Sequence, residues 1–154
     1  MYFTCNRGHS HWGTAGAAGA LVVAPGPRSP RVLLTLRSPQ VHQGSTWSTP
    51  GGAIDLGEDA HAAACREVSE ELGMNVDDLP VIGQHVFQCG GWSYTTVLLG
   101  ATAATPLVAQ GWETDEVRWF ELDEVDRLAA LHPSFGASWP ALRDLVREIM
   151  TQVR

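Results

Sequence analysis

The stretch Gly52 to Met74, GAIDLGEDAHAAACREVSEELGM, decides the fold. Thr49-Pro50-Gly51-Gly52 ahead of it forces an irregular backbone, because proline fixes φ and paired glycines accept geometries closed to other residues. From Asp59 to Leu72 the apolar spacing predicts a helix, with Gly73 as its C-terminal stop. At about 100° per residue, Ala64, Cys65, Val68 and Leu72 share one arc, and Glu67, Glu70 and Glu71 share another. Like charges three and four apart each cost about 0.2–0.5 kcal/mol on an isolated helix. The ordinary role of such an acidic run is a solvated face. The alternative is a cation site, since hard divalent ions take oxygen ligands, and Mg²⁺ combines a few carboxylates with waters and substrate phosphates. Arg66, one turn before Glu70, is placed to fix a carboxylate. The backbone at Gly51 and Gly52 can approach closely and offer a carbonyl.

Outward from this stretch, Ala17–Val23 reads as a buried strand and Ala24–Pro30 as a turn. Val32–Arg37 is a second strand, which makes the first pair a hairpin. Ser38–Ser48 is a polar loop. Val81–Gln88 and Tyr94–Ala101 are strands around a Gly90-Gly91 turn, and Val117–Phe120 is a short strand. Glu121–Ala130 and Ser138–Gln152 are expected as helices. Strands and helices mix without regular βαβ alternation, which favours an α/β/α sandwich around a mixed sheet over a doubly wound parallel sheet.

The 154 residues suit one domain, expected over 1–154. Apolar residues at 44% and charged residues at 18% argue against disorder. No apolar run reaches the roughly 18 residues of a membrane span, and the polar opening lacks a signal-peptide core. Three widely spaced cysteines argue against a disulfide framework, so the chain is expected to be reduced and cytoplasmic. All ten basic residues are Arg, which excludes a Walker-type phosphate loop and Schiff-base chemistry. Seventeen acids give a formal charge of −7. Eleven of them lie between Ser38 and Val117 beside a single Arg, a segment that suits cations and argues against duplex nucleic acid as a partner.

Gly52, Glu58, Arg66, Glu67, Val68, Glu70, Glu71, Gly73 and Met74 fill every fixed position of a pattern over residues 52–74 that resembles the Nudix box of the Nudix hydrolase superfamily. The flanks agree more loosely: Trp47-x-x-Pro50-Gly51-Gly52 before the box and Glu113-x-x-Glu116-x-x-Trp119 after it. The resemblance implies a Nudix-type α/β/α sandwich and hydrolysis of a nucleoside diphosphate linked to another group, with Mg²⁺ or Mn²⁺. By that analogy Glu67, Glu70 and Glu71 bind metal, Glu58 is a further or supporting ligand, and a carbonyl of Gly51 or Gly52 completes the shell. Arg66 orients a catalytic carboxylate. One of the box glutamates, or Glu113 or Glu116 downstream, deprotonates the attacking water.

Substrate-binding candidates are Arg37, for a phosphate, and Trp47, with Trp92 and Trp112 as further aromatics to stack on a base. An ordinary surface Arg and ordinary ring packing are the competing readings. Cys5, His9 and His11 have zinc-ligand chemistry without a second pair to complete a site. ADP-ribose-specific relatives carry a proline shortly after the box, and none occurs between Pro80 and Pro106. Tyr94 lies near the tyrosine of dinucleoside polyphosphate members. What remains is a MutT-like group acting on (d)NTPs or oxidised nucleotides. The alternatives are another Nudix class (dinucleoside polyphosphate, nucleotide sugar or ADP-ribose) or a non-catalytic nucleotide-binding domain. The expected partner is a small nucleotide, with no membrane, for a monomer or homodimer.

Overall fold

The computed structural model describes residues 2–4, 8, 10–12 and 15–152. Two short strands, β1 (Tyr2–Thr4) and β2 (Ser10–Trp12), pair antiparallel apart from the main sheet. Cys5 and His9 lie outside the described residues, and His11 falls in β2.

The main sheet is built from β3 (Ala17–Ala24), β4 (Arg31–Arg37), β5 (Trp47–Ser48), β6 (Gly51–Ala53), β7 (Val81–Cys89), β8 (Trp92–Gly100) and β9 (Thr114–Glu121). It is mixed. β3 runs parallel to β8 along seven residue pairs, from Ala17 with Tyr94 to Val23 with Gly100. The other pairings are antiparallel.

The expected hairpin of β3 and β4 forms, but only at its turn end, where Val23 meets Val32 and Ala24 meets Arg31. Beyond that the strands splay, and the segment from Trp47 to Ala53 fills the wedge. β5 pairs with Thr35 and Leu36 of β4, and β6 pairs with Ala17, Ala18 and Gly19 of β3. Between them the Ala20 N–H reaches the Pro50 carbonyl at 3.0 Å. The glycine-rich turn is thereby sewn into the sheet.

Alternation along β3 sorts the core into two layers. Leu21 and Val23 point to one face, joining Val32, Leu34, Leu98 and Phe120 beneath Phe135, Trp139, Leu142 and Val146 of the C-terminal helix. Ala18, Ala20 and Val22 point to the other, with Leu33, Val97 and Leu99 beneath Ala63, Ala64, Cys65, Val68 and Leu72. Those last five lie on α1 (Ala60–Leu72), on the arc that the periodicity predicts. Asp59 caps α1 by accepting from the Ala62 N–H at 2.7 Å, and Gly73 ends it at φ +64°, with its N–H on the Ser69 carbonyl.

The later helices differ from expectation. α2 covers only Leu122–Asp126, closed at its start by a capping box of Glu121 and Glu124. α3 runs Pro133–Gln152 and so starts five residues before the expected Ser138. Proline at a first helical position is favourable, because its missing N–H would be unpaired there anyway. Pro140 inside the helix, with Gly136 one turn earlier, is what hid this start. No helix among the described residues is long and apolar enough to cross a membrane.

Candidate active site

Arg66 organises the start of the site. Its Nε and Nη2 donate to the two oxygens of Glu58 at 2.9 and 3.0 Å, a bidentate fork. Nη2 also reaches the Ala53 carbonyl at 2.9 Å, and Nη1 lies 3.1 Å from Glu67 Oε1 and 3.3 Å from Glu70 Oε1. One guanidinium therefore ties the loop after β6 to the acidic face of α1. The Glu58 carboxyl is held below its ordinary range, first by the hydrogen bond from Arg66 and then by one from the Asp55 N–H. Arg66 is itself held more firmly protonated by the same contact with Glu58.

Glu71 is fixed from the opposite direction. The Gly51 N–H donates to its Oε2 at 2.9 Å, and its own carbonyl accepts from the Gln110 N–H at 2.9 Å. Burial, reinforced by the neighbouring Glu67 charge, pushes the Glu71 carboxyl up to about 8. Glu67 is raised too, mainly by burial and against the pull of Arg66. Glu70 is the open one of the three, with 58% of its side chain exposed against 15% for Glu67.

Gly52 lies so close to Glu67 that a Cβ there would sit 2.5 Å from Oε1. At Gly51 a Cβ would meet the Tyr94 hydroxyl at 2.5 Å and the Ala18 carbonyl at 2.6 Å. That hydroxyl, 3.3 Å from Thr49 Oγ1, is pushed up to about 12 chiefly by burial.

Glu67, Glu70, Glu71 and Gly51 form one wall of a pocket of about 130 Å³. Arg37, Val41, Gln110, Gly111, Trp112, Glu113 and Thr114 complete it. Arg37 donates through Nε and Nη2 to the His42 carbonyl, at 3.1 and 2.8 Å, which holds the guanidinium at the pocket edge. Seven of the candidates (Gly51, Glu67, Glu70, Glu71, Arg37, Trp112 and Glu113) are thus brought together, with Glu58, Arg66 and Gly52 immediately behind.

Glu116, Trp47 and Trp92 lie elsewhere. Glu116 sits on β9 opposite Leu36 and is ion-paired with Arg118, outside the pocket lining. Strand alternation puts Glu116, Arg118 and Phe120 on one face, where the Arg118 guanidinium lies 5.6 Å from the Trp47 ring centroid. Trp47 is 9% exposed, edge-on to Phe120 at 5.0 Å, within the core beneath α3. Its ring is taken up by packing. Trp92 is buried as well, beside Tyr94. Val41, Gln110 and Gly111 were not legible as lining residues, because loop residues without charge or periodicity carry no sequence signal of where the loop folds.

Among the described residues, no three His, Cys, Asp or Glu side chains close around one point as a finished metal site. The donors present nonetheless suit Mg²⁺ or Mn²⁺. They are oxygens only, and Glu67 and Glu71 each have one oxygen engaged, by Arg66 and by the Gly51 N–H. A few carboxylates plus waters and substrate phosphates is the usual way Mg²⁺ is held.

The NUDIX domain profile matches residues 13–142. A Mycobacterium tuberculosis protein named "Putative 8-oxo-dGTP diphosphatase 3" is 43% identical over 145 residues, which are 90% of this chain and 66% of that one. A Bifidobacterium longum nucleoside triphosphate pyrophosphatase/Nudix hydrolase fusion protein is 32% identical over 154 residues, 96% of this chain and 31% of that one. The chain therefore spans less than two thirds of the length of these curated relatives. The crystal structure of a Nudix hydrolase from M. smegmatis, RenU, superposes with a TM-score of 0.88 at 38% identity, covering 97% of this chain and 96% of that one. With the box residues folded into one glycine-anchored carboxylate wall and the profile matched over most of its length, the chain belongs to the NUDIX domain family.

Proposed function

We propose that this chain is a divalent-metal-dependent pyrophosphohydrolase of the MutT-like kind. Its substrate would be a (d)NTP or an oxidised nucleotide, cleaved to a nucleoside monophosphate and pyrophosphate. The observation that carries this reading is the single pocket in which Glu67, Glu70 and Glu71 face Arg37 and Glu113. The name of the M. tuberculosis relative supports the substrate class.

Glu67 and Glu71, with Glu70 and a carbonyl of Gly51 or Gly52, would hold Mg²⁺ or Mn²⁺. When bound, such a cation neutralises phosphate charge and acidifies a coordinated water. Arg37 is set to meet a phosphate oxygen, because its fork is already oriented by the His42 carbonyl. Glu70 and Glu113, both open to solvent, are the acids able to take a proton from water. Arg66 and Glu58 do not line the pocket and act from behind it: Glu58 fixes Arg66, which positions Glu67 and Glu70.

The test is release of monophosphate and pyrophosphate from a panel of (d)NTPs, 8-oxo-dGTP, ADP-ribose, NADH, nucleotide sugars and diadenosine polyphosphates. It is run with Mg²⁺, with Mn²⁺ and with EDTA, beside Glu70→Gln. Metal-dependent release from triphosphates that the substitution cuts at least tenfold is expected. Silence on triphosphates together with turnover of another class would overturn the substrate assignment.

A further inference from the structure

We propose that Trp112 is the base-stacking residue of this site, which makes it selective for purine nucleotides. The inference rests on the nucleotide reading above and adds to it the group that recognises the base.

Trp112 lines the same pocket as the box glutamates and Arg37, yet the residue is 68% exposed. An indole left in water at the lip of a polar pocket is unusual, because its large apolar face gains from being covered. The other tryptophans whose side chains are described are engaged in packing: Trp47, Trp92 and Trp139 are buried, and Trp119 packs against the core beneath α1. Trp112 is also held in place. Two residues before it the Gln110 N–H is bonded to the Glu71 carbonyl, and one residue after it the Glu113 carbonyl accepts from the Ser38 N–H, each at 2.9 Å. The loop is thus pinned to the carboxylate helix on one side and to the end of β4 on the other, with the indole between.

Size then assigns the parts of the ligand. A cavity of about 130 Å³ is smaller than the roughly 300–1,000 Å³ of sites that enclose a whole small molecule. The carboxylates and Arg37 suit the phosphates, so the base must lie outside, at the rim. Trp112 is the aromatic surface there, with Val41 on the facing loop. Stacking accepts any base, and the larger π-face of a purine gains more from it than a pyrimidine does.

The experiment compares wild type, Trp112→Ala and Trp112→Phe. Turnover of dGTP, 8-oxo-dGTP and dCTP is measured with Mg²⁺, and binding of dGMP and 8-oxo-dGMP by calorimetry. Loss of one stacked base corresponds to about a 5- to 150-fold weakening. That weakening is expected in KM and Kd for the purine nucleotides in Trp112→Ala, with kcat much less affected. It should be smaller for dCTP and largely restored in Trp112→Phe. Wild-type KM and Kd in a folded Trp112→Ala, beside an active wild type, would overturn the inference and leave the hydrolase reading intact. A wild type that binds dGMP through Trp112 without turning any triphosphate over would sustain the inference and sink the hydrolase reading. A wild type that neither binds nor cleaves nucleotides would overturn both.

Discussion

Glu58 and Arg66, eight residues apart, form a two-point fork in which both carboxylate oxygens are taken, at 2.9 and 3.0 Å. Four further contacts of the same guanidinium, to Ala53, Asp55, Glu67 and Glu70, make it the hub of the glycine-to-helix connection. Lysine cannot reproduce this, since an ammonium is a point charge without a planar fork. Arg66→Lys is therefore expected to cost about 1–2 kcal/mol, or roughly 2–8 °C in Tm. It should also cut turnover by more than tenfold, because Glu67 and Glu70 lose their shared anchor. Thermal unfolding beside steady-state kinetics checks both; an unchanged kcat/KM would show that the fork is structural only.

The paired glycines predict different damage. At Gly52 the obstacle to a Cβ is the carboxyl end of Glu67, which can swing aside. At Gly51 the obstacles are the Tyr94 hydroxyl and the Ala18 backbone carbonyl, and the backbone cannot yield without breaking the pairing of β6 with β3. Gly52→Ala should keep Tm within a few degrees and lose activity, since Glu67 is displaced. Gly51→Ala should lose both, with destabilisation of about 1–3 kcal/mol typical of overpacking. Equal Tm values for the two variants would contradict this account.

These same residues show what the sequence could and could not disclose. The helix, its Gly73 stop, its buried arc and the carboxylate cluster were legible because each depends on spacing within one short segment. Gly51 and Gly52 were legible as a close approach, but not what they approach, since Glu67, Tyr94 and Ala18 reach them only through the sheet. The two downstream acids were legible as a pair of alternatives. The choice between them depends on which face each residue of β9 presents, and Glu116 shares its face with Arg118 and Phe120. Trp47 and Trp112 were equivalent as aromatic letters. Pairing of β5 with Leu36 sends the first into the core, and the pinned loop leaves the second at the rim.

His132 makes fold stability depend on pH. It stands immediately before Pro133, and its Nδ1 accepts from the Ser134 N–H at 3.1 Å, so the neutral ring caps the N-terminus of α3. Burial, with Arg37 and His42 nearby, lowers its pKa from 6.5 to about 4. Between those values the unfolded chain binds a proton that the folded chain refuses. Stability is therefore complete above pH 6.5 and is lost as pH falls toward 4, by about 1–2 kcal/mol from this partly exposed group. His132→Asn keeps a neutral cap at every pH and should flatten the Tm–pH curve in that window. An equal acid decline in the variant would assign the loss to other groups.

Removal of the Glu71 charge should separate folding from metal binding. Its carboxyl ionises at about 8 in the folded chain against 4.5 for a free glutamate side chain, so the folded state prefers the protonated form. Stability accordingly falls as pH rises from 4.5 to 8, and at neutral pH this glutamate weakens the metal-free fold. Glu71→Gln keeps an oxygen for the Gly51 N–H and removes the buried charge, so the metal-free variant is expected to be more stable than wild type by about 1–3 kcal/mol. Addition of Mg²⁺ should reverse the order. A ligand that binds only the folded state raises its stability by RT ln(1 + [L]/Kd), about 1.4 kcal/mol at ten times Kd, which for a chain this size is roughly 3–6 °C. Wild type should show that rise and Glu71→Gln little or none. Thermal scans in EDTA and across a Mg²⁺ series read both effects; a variant that is less stable in EDTA, or that keeps the full rise, would mean that Glu71 is a structural acid and not a ligand.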